Sequence, residues 1–120
     1  MDKVNVAEKL ASFWDHWRPR VVAELNGQEL KLVKLRGEFV WHSHEEADEL
    51  FLVWRGRLRI ELPDQVLHVE PGELVVVPRS VQHRTAADVE TEVLVFEPVG
   101  TRNTGDVVDP RLTAPERETI

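Results

Sequence analysis

Turn chemistry interrupts the middle of this chain at short, regular intervals, and nothing else in the sequence constrains its fold as much. Between Arg20 and Pro98 the runs Val21 to Leu25, Glu29 to Leu35, Phe39 to His44, Glu49 to Arg55, Leu58 to Leu62, Val66 to Val69, Glu73 to Val77, Val81 to Thr85 and Glu92 to Phe96 are rich in Val, Leu, Ile and Phe. Asn26-Gly27, Arg36-Gly37, Gly56, Pro63-Asp64-Gln65 and Pro71-Gly72 separate most of them. Runs of this length and composition read as strands. Asn-Gly supplies the two positive-φ positions of a tight hairpin turn. No strand–helix alternation is present, which argues against a parallel sheet and for an all-β antiparallel sandwich or barrel over residues 20–98.

Both flanks differ from this core. In residues 1–19, Val6, Leu10, Phe13, Trp14 and Trp17 make one apolar stripe at helical spacing, Asn5 and Glu8 have the spacing of an N-terminal cap and its partner, and Pro19 marks the stop. The reading is a short N-terminal helix whose tryptophans pack on a sheet, with His16 off the stripe at the surface. Residues 99–120 contain Gly100, Gly105, Pro110 and Pro115 among polar residues, which predicts an extended tail.

Charge and cysteine usage remove whole classes of function. The formal charge of -7 disfavours the phosphate-neutralising surface of a nucleic-acid binder. With no cysteine, disulfides, thiolate metal sites and cysteine nucleophiles are out. No apolar run reaches membrane-spanning length and no signal peptide is visible at Met1, so the expected setting is cytoplasmic.

Chemistry concentrates between Gly37 and Gly56. In an extended strand His42 and His44 point the same way and can grip one ion from one face. The step from His44 to Glu49 is odd, so Glu45-Glu46-Ala47-Asp48 must turn the chain before Glu49 can face the imidazoles. His83 arrives on a later strand as a fourth ligand. Three imidazoles and one carboxylate suit one divalent transition metal per chain, whether Fe, Mn, Ni, Co or Zn. Four protein ligands on an octahedral ion leave two positions open, as in a catalytic site. His68, on a polar-flanked strand, is expected at the surface, as are Arg59 and Arg79.

These residues carry a resemblance to the cupin superfamily. Gly37, four residues, His42-Ser43-His44, four residues, Glu49, six residues and Gly56 match the first cupin motif. Gly72, five residues, Pro78 and His83 match the second, with Ser80 where that motif has glycine and Ala87 where it has asparagine. The resemblance implies a double-stranded β-helix, or jelly-roll barrel, with His42, His44, Glu49 and His83 as metal ligands. It also implies a small-molecule ligand or substrate. Family chemistry spans dioxygenases, isomerases, oxalate-degrading enzymes and non-catalytic sugar-binding or sensor domains.

Strand parity adds two expectations. Val40, Phe51, Val53 and Phe96 should flank the metal and make an apolar pocket, favouring a small, partly aromatic substrate over a sugar phosphate. Phe39, Trp41, Leu50, Leu52 and Trp54 should face outward, where the helix or a second copy in a homodimer must cover them. No tyrosine is available for proton transfer, and Glu45, Glu46 and Asp48 read as solvated turn residues.

Overall fold

The computed structural model describes residues 1–114 and 117–120. One short helix, α1 (Val6–Leu10), precedes seven strands: β1 (Arg20–Leu25), β2 (Gln28–Glu38), β3 (Glu49–Arg55), β4 (Leu58–Leu62), β5 (Gln65–Val69), β6 (Leu74–Val77) and β7 (Arg84–Pro98). Every strand pairing is antiparallel, as the sequence predicts. Asn26 and Gly27 join β1 to β2 with φ of 51° and 77°, the double positive φ of the expected turn.

β7 organises the molecule. β2 runs beside it for nearly its whole length, from Gln28 opposite Pro98 to Glu38 opposite Ala86. On its other edge the early residues pair with β4, Arg59 opposite Ala86, and the later ones with β3, Leu50 opposite Phe96. β6 extends the sheet beyond β3, and β5 extends it beyond β4. The two halves fold over one core in which Val53, Leu58, Ile60 and Val93 are wholly excluded from water. Each such side chain stabilises the fold by roughly 1.5–3 kcal/mol relative to exposure. Where β7 changes partner, Gly56 presses against it with φ 93°, and a Cβ there would lie 2.8 Å from Glu90 O. Only glycine fits.

The sequence pattern misplaces three boundaries. Val81 to Thr85 and Glu92 to Phe96 are not separate strands: Arg84–Pro98 runs unbroken through the exposed Asp88-Val89-Glu90, where its register against β2 shifts, and Val81 to His83 lie outside it. Phe39 to His44 forms no ladder beyond an isolated bridge between His42 and His83. The helix ends at Leu10 rather than near Pro19. Its Asn5 cap is as read, accepting from Glu8 N at 3.0 Å. Beyond the helix β2 captures the backbone: Lys34 Nζ donates to Phe13 O (2.7 Å) and Trp17 N to Lys34 O (2.9 Å). These bonds replace helical ones and turn Trp17 to φ 65°. Leu10 and Phe13 pack on Leu32 as the stripe requires, whereas Trp14 is 78% exposed.

The C-terminal residues are not an extended arm. Asn103 donates to Trp17 O (3.2 Å), Thr104 is fully buried, and the last residues return along β1, with Val21 N donating to Glu118 O (2.7 Å) and Ile120 N to Val21 O (3.1 Å). Tandem turns bring the chain back because Thr104, Asn103 and Asp109 satisfy its backbone groups. Among the described residues no helix is long and apolar enough to cross a membrane.

Candidate metal centre

The four residues singled out by spacing converge. Ligand-capable atoms of His42, His44, Glu49 and His83 all lie within 4.8 Å of one another, and all four side chains are buried. His42 and His83 exchange backbone hydrogen bonds of 2.9 Å in both directions, bringing their rings to 4.4 Å. The turn at residues 45–48 is held by Asp48, which accepts from Arg79 N at 2.8 Å, and Glu49 then opens β3 facing inward opposite Val77.

Their lone pairs are directed at one another. His42 Nδ1 lies 2.8 Å from Val40 O, and His83 Nδ1 lies 2.8 Å from Val81 O. A carbonyl only accepts, so both rings carry hydrogen on Nδ1 and, when neutral, turn a bare Nε2 inward. Burial lowers the pKa of His42 to about 4, aided by the neighbouring imidazoles. Glu49 Oε1 sits 3.3 Å from His44 Nε2 and 3.4 Å from His83 Nε2. Burial alone would raise the Glu49 pKa, but the polar groups of His44, His83 and Glu97 around it outweigh burial and hold the carboxylate well below its usual range. His44 Nε2, His83 Nε2 and Glu49 Oε1 have no hydrogen-bond partner. Glu49 Oε1 and the bare Nε2 of His83 face each other as buried acceptors, an arrangement that a metal cation or a proton between them relieves. A three-imidazole, one-carboxylate donor set fits a divalent transition metal.

Beside the cluster is a cavity of about 40 Å³, bordered by His42, Glu49 and Phe51 with Trp17, Phe39, Val33, Leu35 and Val95. That volume holds about two or three waters. None of the described residues lining it is Lys or Arg. Arg59 and Arg79 lie elsewhere, paired with Asp88 at 2.6 Å and Asp48 at 3.2 Å. His68 is exposed, and His16 is half-buried 3.0 Å from Glu90.

Of the expected pocket residues, Phe51 lines the cavity and Val53 lies deeper in the core. Val40 is half-buried and contributes its carbonyl to His42. Phe96 falls on the opposite face, since Val93, Val95 and Glu97 are the inward residues of β7. Phe39, expected outside, is buried and stacks on Trp17 at 4.7 Å, because residues 39–41 leave strand geometry and parity no longer applies.

Two wall residues escape a reading based on hydrophobic alternation. Glu97 is 2% exposed in an otherwise apolar row; Lys31 Nζ, also buried, donates to it at 2.8 Å. Burial and the adjacent Glu49 charge push the Glu97 pKa well up, with Lys31 pulling the other way. Trp17 reaches the cavity only because the helix stops early. Its indole N–H donates to Arg36 O (3.2 Å).

Comparison with known proteins agrees with the geometry. A profile of the cupin domain matches residues 30–97. The uncharacterized protein YdbB of Bacillus subtilis is 33% identical over 94 residues, 78% of this chain and 77% of that one. The crystal structure of a cupin-2 domain containing protein from Shewanella frigidimarina superposes with a TM-score of 0.78 at 43% identity, covering 79% of this chain and 93% of the other. Protein NMB1881 from Neisseria meningitidis gives 0.75 at 28% identity, covering 81% and 99%. Matched by the cupin profile over more than half its length and folded into the same antiparallel barrel, the chain belongs to the cupin family.

Proposed function

We propose that this cupin is a metal-dependent enzyme acting on a small, partly apolar molecule at a mononuclear centre held by His42, His44, Glu49 and His83. One observation carries the reading: three buried polar atoms without a hydrogen-bond partner, His44 Nε2, His83 Nε2 and Glu49 Oε1, converge beside a cavity with mainly apolar walls. A metal bound there would supply Lewis-acid polarisation of a carbonyl or hydroxyl, in isomerase or lyase chemistry, or a redox centre for a dioxygenase.

The protein's own contribution is to exclude water and fix the donors. Val33, Leu35, Phe51 and Val95 keep the surroundings of low polarity, which strengthens electrostatic interaction with any polar group of a bound molecule. The stacked Trp17 and Phe39 present flat apolar surface, and Thr85 and Asn103 supply the polar contacts of the lining. The lack of a cationic side chain in that lining favours an apolar or aromatic substrate over a phosphorylated one.

Elemental analysis of protein purified without chelator, followed by His44→Ala, tests the assignment. The expected result is near-stoichiometric metal in the parent and its loss, with loss of turnover, in a variant whose circular dichroism is unchanged. Full metal content and activity in His44→Ala would refute it. Saturable ligand binding with no product would instead assign the non-catalytic binding or sensor role.

We also infer a homodimer. Leu50, Leu52 and Trp54 on β3 share an outer face with Leu74 and Val76 on β6, and α1 packs elsewhere, over Leu32 and Leu94. Leu74 is 54% and Val76 51% exposed, so a second copy is the cover that this face requires.

A further inference from the structure

The segment carrying the first two candidate ligands, Val40 to His44, belongs to no regular strand, so its hold on the barrel has to be accounted for bond by bond. One edge is occupied by the ligand loop across the barrel: His42 pairs with His83, and His44 O accepts from Ser80 N at 2.9 Å. Ser43, between them, turns its N–H and C=O to the opposite edge, as the alternation of an extended chain dictates.

The C-terminal segment fills that edge. Asp106 Oδ1 accepts from Ser43 N at 3.0 Å, and Asp106 N donates to Ser43 O at 3.1 Å. Gly105 lies against the same spot with φ 57°; a Cβ there would collide with the Ser43 carbonyl oxygen and stand 3.0 Å from His42 Cδ2. The loop is braced from behind. Thr104 Oγ1 donates to Val107 O at 2.5 Å and shares a hydrogen bond of 2.7 Å with Thr113 Oγ1, while Gly105 N donates to Arg102 O at 2.9 Å.

We propose that residues 100–107 are a working part of the metal centre, in which Asp106 and Gly105 clamp Ser43 and so hold His42 and His44 at the spacing one ion needs. The proposal rests on the metal reading given above. Asp106 and Gly105 are positioning residues: they touch the backbone between two ligands and the edge of one ligand ring. Support of ligands from outside the coordination sphere is typically worth ten- to a hundredfold in metal affinity.

The test uses the full chain and Co²⁺ and Zn²⁺ as probes. Affinities of the parent, Asp106→Ala and Asp106→Asn are measured by chelator competition, with the cobalt absorption spectrum and amide exchange at Ser43 as further readouts. Asp106→Ala should bind about tenfold or more weakly, show a shifted cobalt spectrum and exchange its Ser43 amide faster. Asp106→Asn, whose amide oxygen still accepts from Ser43 N–H, should recover most of the affinity. Should the alanine variant not fold, Asp106→Glu displaces the acceptor by one carbon and is expected to weaken binding in the same direction. Parent-like affinity and spectrum in Asp106→Ala would overturn the clamp and leave the metal reading intact. A parent that takes up neither ion would overturn both.

Discussion

Ser80 has φ 67°, a left-handed conformation that costs an ordinary side chain roughly 1–2 kcal/mol. It stands where the second cupin motif has glycine, so the turn has kept its shape after losing the residue best suited to it. Ser80 Oγ donates to Glu45 at 3.2 Å, an exposed bond that offsets little of the strain. Ser80→Gly should therefore raise stability by about 1 kcal/mol in urea titration and leave metal content unchanged; a loss of stability would show that the hydroxyl matters more than the backbone. His42 sets a pH dependence. Its folded pKa of about 4 lies below the ordinary histidine value of 6.5, so the unfolded chain binds the extra proton between those values. Its contribution is complete above pH 6.5 and fades as pH falls towards 4, by about 3 kcal/mol in the metal-free protein. Glu97, shifted upward, acts oppositely: its contribution is present below its ordinary value of 4.5 and wanes as pH rises. Comparing urea midpoints of metal-free parent and His42→Gln across pH isolates the histidine, and parallel curves would contradict it. The candidate ligands were legible because strand parity and an odd step are local arithmetic. Glu97 was not, because its burial depends on Lys31, 66 positions away in the sequence.

At the level of elements, legibility followed how local the determinants are. The β1–β2 hairpin is written in Asn26-Gly27, and the turns before β4, β5 and β6 in their glycines and prolines. The end of α1 is not, since Lys34 on β2 takes the Phe13 carbonyl that the helix would have used. Nor is the fold of the C-terminal segment, whose partners Trp17, Val21 and Ser43 are all distant in sequence. β3 shows both outcomes. Its inward residues Glu49, Phe51 and Val53 were read correctly from parity, and its outer row Leu50, Leu52 and Trp54 is only partly covered. Leu52→Asp or Val76→Asp should convert a dimer into a folded species of 13.8 kDa in sedimentation equilibrium. A parent already at that mass would dispose of the dimer.

For the molecule as a whole, the position of β7 has a consequence in time. It is synthesised after β1 to β6, yet it pairs with β2, β3 and β4, and Gln28 waits for Pro98 before its end of the ladder can close. Until then only the β1–β2, β4–β5 and β3–β6 pairings are available, and isolated hairpins are marginal in water. Barrels of such non-local pairing fold in milliseconds to seconds, whereas synthesis proceeds at about 5–20 residues per second. Nascent chains arrested before Glu92 should accordingly be digested by protease as unfolded polymer, and protection of the shorter product would show that an earlier nucleus suffices. The emerging chain thus spends several seconds with His42, His44 and Glu49 already made and no walls around them. Any ion taken up in that interval is chosen by supply and intrinsic ligand affinity, before cavity shape can discriminate.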